Sequence, residues 1–96
     1  MKLCLIIYSE AADEYVIAEL KKAGIQTYTK TVEAQGVGIE TVPKLGTHIW
    51  PGRNNVLLAS VADEDAPKIR EQLRQIKLDN PQAGVRGFLL PMEDDI

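Results

Sequence analysis

The sequence predicts a single α+β domain with four strands and two helices in the order βαββαβ. Two features predict this class: short apolar or β-branched runs of strand length, and two longer segments whose apolar residues recur at helical spacing. The 96 residues are enough for one domain with one hydrophobic core. We therefore expect residues 1–96 to fold as one unit.

The four strands are predicted from short runs with turn signals at their ends. Residues 3–8 are continuously apolar, which is typical of a buried central strand. Residues 27–32 are β-branched and aromatic, and residues 56–61 are mostly apolar, so they predict the second and third strands. Residues 88–92 predict the fourth strand, and Pro91 indicates an edge position or the strand's end.

The two helices are predicted from the residues at their ends and from the stripe of apolar residues along each helix. Ser9 is a suitable N-cap for the first helix, acidic residues follow it, and Gly24 is a suitable C′ residue. The second helix begins in an acidic stretch before Pro67 and ends at Pro81. The apolar stripes are Ala12, Tyr15, Val16, Leu20 and Ala23 in the first helix, and Ala66, Ile69, Leu73 and Ile76 in the second.

This element order predicts a ferredoxin-like layer, because two right-handed βαβ units place both helices on one face of a four-stranded antiparallel sheet. The other face then has no helix to cover it. Both faces of the first strand are nevertheless apolar, since its alternating sets are Leu3, Leu5 and Ile7, and Cys4, Ile6 and Tyr8. An uncovered apolar face predicts a homo-oligomer.

Composition argues against several classes of protein. The net charge of −3 gives no basic footprint for a nucleic acid or an anionic membrane. The longest apolar run is far shorter than the roughly 20 residues of a membrane-spanning helix, and acidic residues follow it at once, unlike a signal peptide. Cys4 is the only cysteine and lies in that apolar run, which predicts a reducing, cytoplasmic setting.

The stretch with the clearest functional signal is the long connection between the second and third strands. Residues 39–54 form a loop of about 16 residues, and loops longer than about 12 in a compact domain are usually functional or disordered. Gly36 and Gly38 precede it, and with Arg86 and Gly87 they are expected to line one phosphate-sized site. The alternative is that the glycines serve a bulge and a turn and that the arginine is an ordinary solvated side chain.

Two segments resemble the PII signal-transduction family. Residues 32–38, Val-Glu-Ala-Gln-Gly-Val-Gly, close the second strand before the long loop. Residues 86–93, Arg-Gly-Phe-Leu-Leu-Pro-Met-Glu, are similar to the family's closing segment Lys-Ile-Phe-Val-Leu-Pro-Val-Glu. The order and lengths of the elements also agree over nearly the whole chain, so the sequence resembles a minimal PII homologue.

The resemblance implies a trimer of ferredoxin-like subunits that binds an effector in the clefts between neighbours, with an adenine nucleotide as a candidate. Arg86 would stand at the position of the family's phosphate-contacting lysine. The chain departs from the family in having no tyrosine between Gly38 and Val56, so the family's modifiable loop tyrosine is not carried over. Ile39 and Glu40 replace the usual Arg-Gln pair, which predicts altered magnesium and 2-oxoglutarate chemistry.

The loop itself is expected to contact a target protein through residues 41–53, with Lys44, His48, Trp50 and Arg53 as the contact residues. Exposed aromatic side chains often carry interface energy. The alternative is that the apolar tip folds back on the domain or on a neighbouring subunit. We expect no metal site, because one histidine without other ligands nearby falls short of the four that a tetrahedral site takes.

Three classes of function remain open from the sequence. The preferred one is a small trimeric regulatory protein of the PII type, and the alternative is a nucleotide-independent module similar to PII and CutA proteins that responds to metal or binds other proteins. An enzyme or an RNA binder ranks last. No catalytic constellation is recognisable, and the third strand lacks the aromatic and basic residues of an RNA-binding sheet.

Overall fold

The computed structural model describes residues 1–39 and 42–96, so Glu40 and Thr41 of the expected loop lie outside the described residues. The predicted element order βαββαβ is confirmed. The elements are β1 (Lys2–Ser9), α1 (Asp13–Lys22), β2 (Thr29–Ala34), β3 (Asn54–Val61), α2 (Ala66–Asp79) and β4 (Arg86–Pro91). Single 3₁₀ turns at Glu10–Ala12, Asp63–Asp65 and Pro81–Ala83 join them.

The four strands form one sheet in the order β2-β3-β1-β4, and every neighbouring pair is antiparallel. β1 lies in the middle, where Leu5 is opposite Leu58 of β3 on one side and opposite Phe88 of β4 on the other. β4 is an edge strand of this sheet, as its proline indicated. The C-terminal end of β1 and the N-terminal ends of β3 and β4 meet at one end of the sheet, which becomes the root of the long loop.

One face of the sheet is covered by both helices, as predicted. The side chains of Cys4, Ile6 and Tyr8 on this face are fully buried. They belong to one core cluster with Val16 and Leu20 of α1 and with Ile69, Leu73 and Ile76 of α2. Because residues at i, i+3, i+4 and i+7 share one side of a helix, each helix presents a single stripe to this core. Burial raises the pKa of the Cys4 thiol to about 11.

The opposite face carries no helix among the described residues and is also apolar. Phe88 and Leu90 of β4 are 39% and 45% exposed there. Leu3, Leu5 and Ile7 of β1 lie beside them and are half-buried. An apolar surface of this kind is unusual for a face that stays in water.

The sheet is irregular where the long loop leaves it. β2 and β3 lose their register between Thr31 and Ala34, and Glu33 in that interval has a φ of 61°. One extra residue in β2 therefore forms a β-bulge, which bends the end of the strand. A left-handed conformation at a residue other than glycine is strained.

Several local predictions were wrong. Ser9 makes no capping hydrogen bond with its side chain, because it is the last residue of β1 and a 3₁₀ turn separates it from α1. β2 begins at Thr29 rather than at residue 27. β3 and β4 begin at Asn54 and Arg86, each two residues earlier than predicted, so Asn54 of the expected loop is a strand residue. No helix within residues 1–39 and 42–96 is both long and apolar enough to cross a lipid bilayer.

Candidate functional site

A concave surface lies at the end of the sheet from which the long loop departs. It is a cavity of about 650 Å³, within the usual range for small-molecule sites. Strands, the long loop, the end of α2 and the turn before β4 all contribute to it. Among the described residues, its polar lining is Lys44, Asn54, Lys77 and Arg86, its glycines are Gly36, Gly38 and Gly84, and its apolar lining includes Ile7, Val37, Ile39, Val42 and Val85.

The structure brings together three of the four ligand-binding residues that the sequence predicted. Gly36 and Gly38 enter the cavity from the end of β2, and Arg86 enters it from the start of β4. The guanidinium carbon of Arg86 lies 5.2 Å from the centroid of the Phe88 ring, a cation–π distance that helps to hold the side chain in place. Whether these residues touch a ligand stays a prediction.

Gly87 does not lie in this cavity. Successive residues of a strand point to opposite faces, so Gly87 faces α2 while Arg86 faces the cavity. A Cβ atom at Gly87 would clash with Cδ1 of Leu73. The absence of a side chain at this position is therefore explained by the close packing of β4 against α2.

The glycine at the end of β2 also has a steric reason. Gly36 pairs with Lys44 as an isolated antiparallel bridge, in which the N–H of each residue donates to the carbonyl of the other at 2.7 and 2.8 Å. A Cβ atom at Gly36 would stand 2.7 Å from Nδ2 of Asn54. The carboxamide of Asn54 thus occupies the space that a side chain would need, and its Oδ1 is buried without a partner among the described residues.

Lys44 is part of the cavity wall, although the sequence assigned it to the partner-binding surface. Its Nζ stands 3.0 Å from where a Cβ of Gly84 would be, and its Cγ stands 3.1 Å from the corresponding position at Gly52. Gly84 has a φ of 63° in the turn before β4. The lysine therefore extends from the long loop across to that turn, and glycines at both positions leave room for it.

Sequence reasoning missed Lys77 entirely. It lies in the last turn of α2, and α2 ends at the same side of the domain as the turn before β4. The one indication in the sequence is that Lys77 stands four residues before Pro81, which places it near the predicted end of the second helix. That position alone could not show that the helix end lines a cavity.

The electrostatic character of the cavity is one-sided. Lys44, Lys77 and Arg86 line it, and no Asp or Glu of residues 1–39 and 42–96 does so. None of the three cations has a carboxylate oxygen within 4.0 Å in this part of the chain. A cluster of positive charge that no described carboxylate contacts, in a chain with a net charge of −3, favours an anionic ligand.

Beyond the Gly36–Lys44 bridge, residues 45–52 of the long loop fold into a compact turn. The amide N–H groups of Leu45 and Thr47 donate to the carbonyl of Trp50 at 3.3 and 2.9 Å, and Trp50 N–H donates to Oγ1 of Thr47 at 3.0 Å. His48 is exposed at the tip. Trp50 is 40% exposed, so it neither folds fully back onto the domain nor projects freely.

Arg53, the last of the predicted contact residues, is turned back toward the root of the loop. A Cβ at Gly46 would stand 3.0 Å from its Nε, and its carbonyl accepts a hydrogen bond of 3.0 Å from the N–H of Glu10. The backbone of Arg53 thereby joins the loop to the turn that precedes α1. Of the four residues predicted to contact a target, His48 and Trp50 are the two at the exposed tip.

A partly buried polar cluster fixes the root of the loop to the domain. Asp13 of α1 accepts hydrogen bonds from the hydroxyl of Tyr8 at 2.6 Å, from Nζ of Lys30 at 2.9 Å and from Nδ2 of Asn55 at 3.1 Å. Burial acts to raise the pKa of Asp13, but these three hydrogen bonds outweigh it and hold the pKa below its usual value. The cluster joins β1, α1, β2 and β3 directly beneath the cavity end of the sheet.

No group of three or more potential metal-ligating side chains comes together in the part of the chain that the structure describes. The described lining of the cavity combines lysine and arginine side chains, which are suited to hydrogen-bonding an anion, with apolar walls.

Comparison with known proteins gives matches only at the level of structure. No family model matches the chain, and no curated protein matches its sequence. Among solved structures, the chain is similar to CPII from Thiomonas intermedia K12 bound to ADP and bicarbonate, at 20% sequence identity with a TM-score of 0.71. The match covers 92% of this chain and 81% of that one.

A second similar structure is a protein from Thermus thermophilus described as a PII-like signalling protein. It is 26% identical over 92% of this chain and 81% of that chain, with a TM-score of 0.65. The apo form of CPII, a nitrogen regulatory PII-like protein, is similar with a TM-score of 0.65 at 18% identity, over 92% of this chain and 84% of that chain. The chain therefore has the fold of the PII-like proteins, as the resemblance in its sequence predicted.

Proposed function

We propose that this chain is a small PII-like regulatory protein that binds an anionic effector, with an adenine nucleotide as the leading candidate. The observation that carries the proposal is the cavity at the root of the loop, lined by Lys44, Lys77 and Arg86 without a carboxylate among the described residues. Cations would hold the phosphates, and the apolar walls would hold the base. The structures of CPII with ADP bound support this choice of ligand.

The protein acts as a homotrimer in this proposal. The support is the uncovered apolar sheet face, where Leu5, Phe88 and Leu90 lie on adjacent strands. Three copies related by a three-fold axis would bury these faces against one another around that axis. The cavity at the edge of each subunit would then form part of a cleft between neighbours.

The long loop contacts a target protein, and the role is regulatory rather than catalytic. His48, Ile49 and Trp50 form its exposed tip, and the isoleucine is 75% exposed. Lys44 belongs to the same loop and to the cavity wall, so an occupied cavity and the loop are in direct contact. We place this function in the cytoplasm, where the single buried cysteine remains a thiol.

The test is isothermal titration of the purified protein with ADP, together with its mass in solution. We expect a trimer that binds ADP, and we expect Arg86→Ala to weaken binding by about 1.5–3 kcal/mol while the trimer persists, because a charge-assisted contact is lost. Lys68→Ala is the matched control. It removes an exposed cation of α2 that lies outside the cavity.

Unchanged affinity in Arg86→Ala would remove Arg86 from the site. A protein that binds neither ADP, ATP nor AMP would contradict the effector proposal. It would favour the alternative of a nucleotide-independent binding module. Such a module would bind its partner protein through the loop without any nucleotide.

A further inference from the structure

A second concave surface lies between α2 and the edge strand β4. It is a groove of about 330 Å³. Arg70, Arg74 and Lys77 line it from α2, and Gly87 and Leu89 line it from β4, with Leu73 between the two elements. No sequence pattern predicted a role for the three cations, and the proposed nucleotide site uses only Lys77.

The three cations of the groove share one side of the helix. Arg70, Arg74 and Lys77 stand at positions i, i+4 and i+7, which bring side chains to one face. No carboxylate from the described ranges lines the groove. Arg74 has Glu71 at 3.7 Å, but both side chains are about 70% exposed, and such a surface pair contributes little.

Lys77 belongs to the groove and to the large cavity. The two concave surfaces therefore share a wall, and their cations form one continuous set. The set comprises Lys44, Arg86, Lys77, Arg74 and Arg70. A single phosphate needs only two or three of these groups, whereas a chain of linked phosphates presents several negative charges along its length.

The groove differs from an ordinary solvated helix face in its shape. Leu73 and Leu89 give it an apolar floor, and the missing side chain at Gly87 keeps β4 close to the helix. The packing of Gly87 is explained without a ligand. The arrangement of three cations around a concave surface with no lining carboxylate among the described residues is not required by that packing.

We propose that the groove between α2 and β4 is a second anion site, which takes the outer phosphates of a polyphosphate ligand whose inner part lies in the large cavity. This inference deepens the proposed function and rests on it for the position of the nucleoside. It makes ATP a better ligand than AMP. It also makes inorganic tripolyphosphate a ligand in its own right, because the groove recognises phosphates and no base.

The test uses the double variant Arg70→Gln/Arg74→Gln and isothermal titration at one fixed ionic strength. The probes are ATP, AMP and inorganic tripolyphosphate. We expect the double variant to lose about tenfold or more in affinity for ATP and for tripolyphosphate, since two charge-assisted contacts are removed. Its affinity for AMP should change less than about twofold, because AMP reaches only the large cavity.

The matched control is Lys22→Gln/Lys68→Gln, which removes the same net charge from exposed positions outside both concave surfaces. It should bind all three probes as the unaltered protein does. An equal loss in the control would show that net charge alone draws the phosphates and would overturn the groove. Unaltered binding of tripolyphosphate and ATP in the groove variant would overturn it too. Thermal melting of both variants checks that the fold is intact.

The two proposals fail in different ways. AMP binding that is weakened by Arg86→Ala, with tripolyphosphate indifferent to the groove arginines, would keep the proposed function and overturn the groove. Tripolyphosphate binding that depends on those arginines, with no binding of AMP or ADP, would support the groove and contradict the nucleotide function.

Discussion

The helix-covered face of the sheet and its cavity end use the same strands in different ways. On the covered face, Ile6 and Ile69 are almost completely buried, and even the gap at Gly87 is filled by Leu73. At the cavity end, the space next to Gly36 and Gly84 is bordered by cations that no described carboxylate neutralises. The first region is filled by side chains of the chain itself, and the second is the region for which we propose an anionic ligand. Stability and ligand binding should therefore respond to different substitutions.

The largest effect should follow from opening the covered face. Ile69→Ala removes buried methyl and methylene groups from the centre of α2's core stripe, and we expect the free energy of unfolding to fall by about 2–4 kcal/mol. Urea unfolding measures this loss. In the same assay Arg86→Ala should stay within about 0.5 kcal/mol of the unaltered protein, as exposed positions usually do. Similar losses in both variants would remove the distinction between the two regions.

The next effect concerns the Asp13 cluster, which joins the two regions. Asp13→Asn should lower the free energy of unfolding at neutral pH by about 1–3 kcal/mol, because hydrogen bonds to a partly buried charge are weakened. The pKa of Asp13 is lowered from 3.8 in the folded protein. The contribution of the Asp13 charge to the free energy of unfolding is therefore present above pH 3.8 and disappears as the pH falls through the pKa of the folded protein.

The measurement is urea unfolding of Asp13→Asn and the unaltered protein between about pH 7 and about pH 2.5. The difference between them should be largest at neutral pH and should shrink below about pH 4. Glu14→Gln is the control, because Glu14 is an exposed neighbour of Asp13 in the first turn of α1. A constant difference across this range would show that the charge on Asp13 is not what the cluster stabilises.

The smallest effect concerns the bulge that leads into the loop. Glu33 has a φ of 61°, which glycine adopts without strain. Glu33→Gly should therefore raise the free energy of unfolding by up to about 1 kcal/mol. Glu33→Ala removes the same charge and keeps the Cβ, so it should give no such gain. Equal effects of both changes would assign the gain to charge and would leave the backbone conformation without a role.

The sequence predicted the fold well because its periodicities are strong and local. It also grouped Gly36, Gly38 and Arg86, which line one cavity because the C-terminal end of β2 and the N-terminal end of β4 lie at the same end of the sheet. It misplaced Gly87, because one step along a strand changes the face and the predicted start of β4 was two residues late. An error of two residues in the predicted start of a strand is enough to misassign which of two neighbouring residues faces the cavity.

The remaining site residues depend on contacts that are distant in sequence. Lys44 reaches the cavity because its backbone pairs with Gly36, and no local pattern in the loop indicates that bridge. Lys77 lines the cavity because α2 ends beside the turn before β4. The predicted cap at Ser9 was also wrong because of an element boundary. β1 extends one residue beyond its apolar run, so Ser9 is a strand residue and makes no side-chain capping hydrogen bond.

A crystal structure of the protein grown with ADP tests the nucleotide site most directly. We expect a nucleotide in the cavity at the root of the loop, with phosphate oxygens in hydrogen-bonding distance of Arg86 and of Lys44 or Lys77. ADP bound elsewhere on the subunit, or a cavity that stays free of nucleotide at saturating ADP, would show that this cavity is not the nucleotide site.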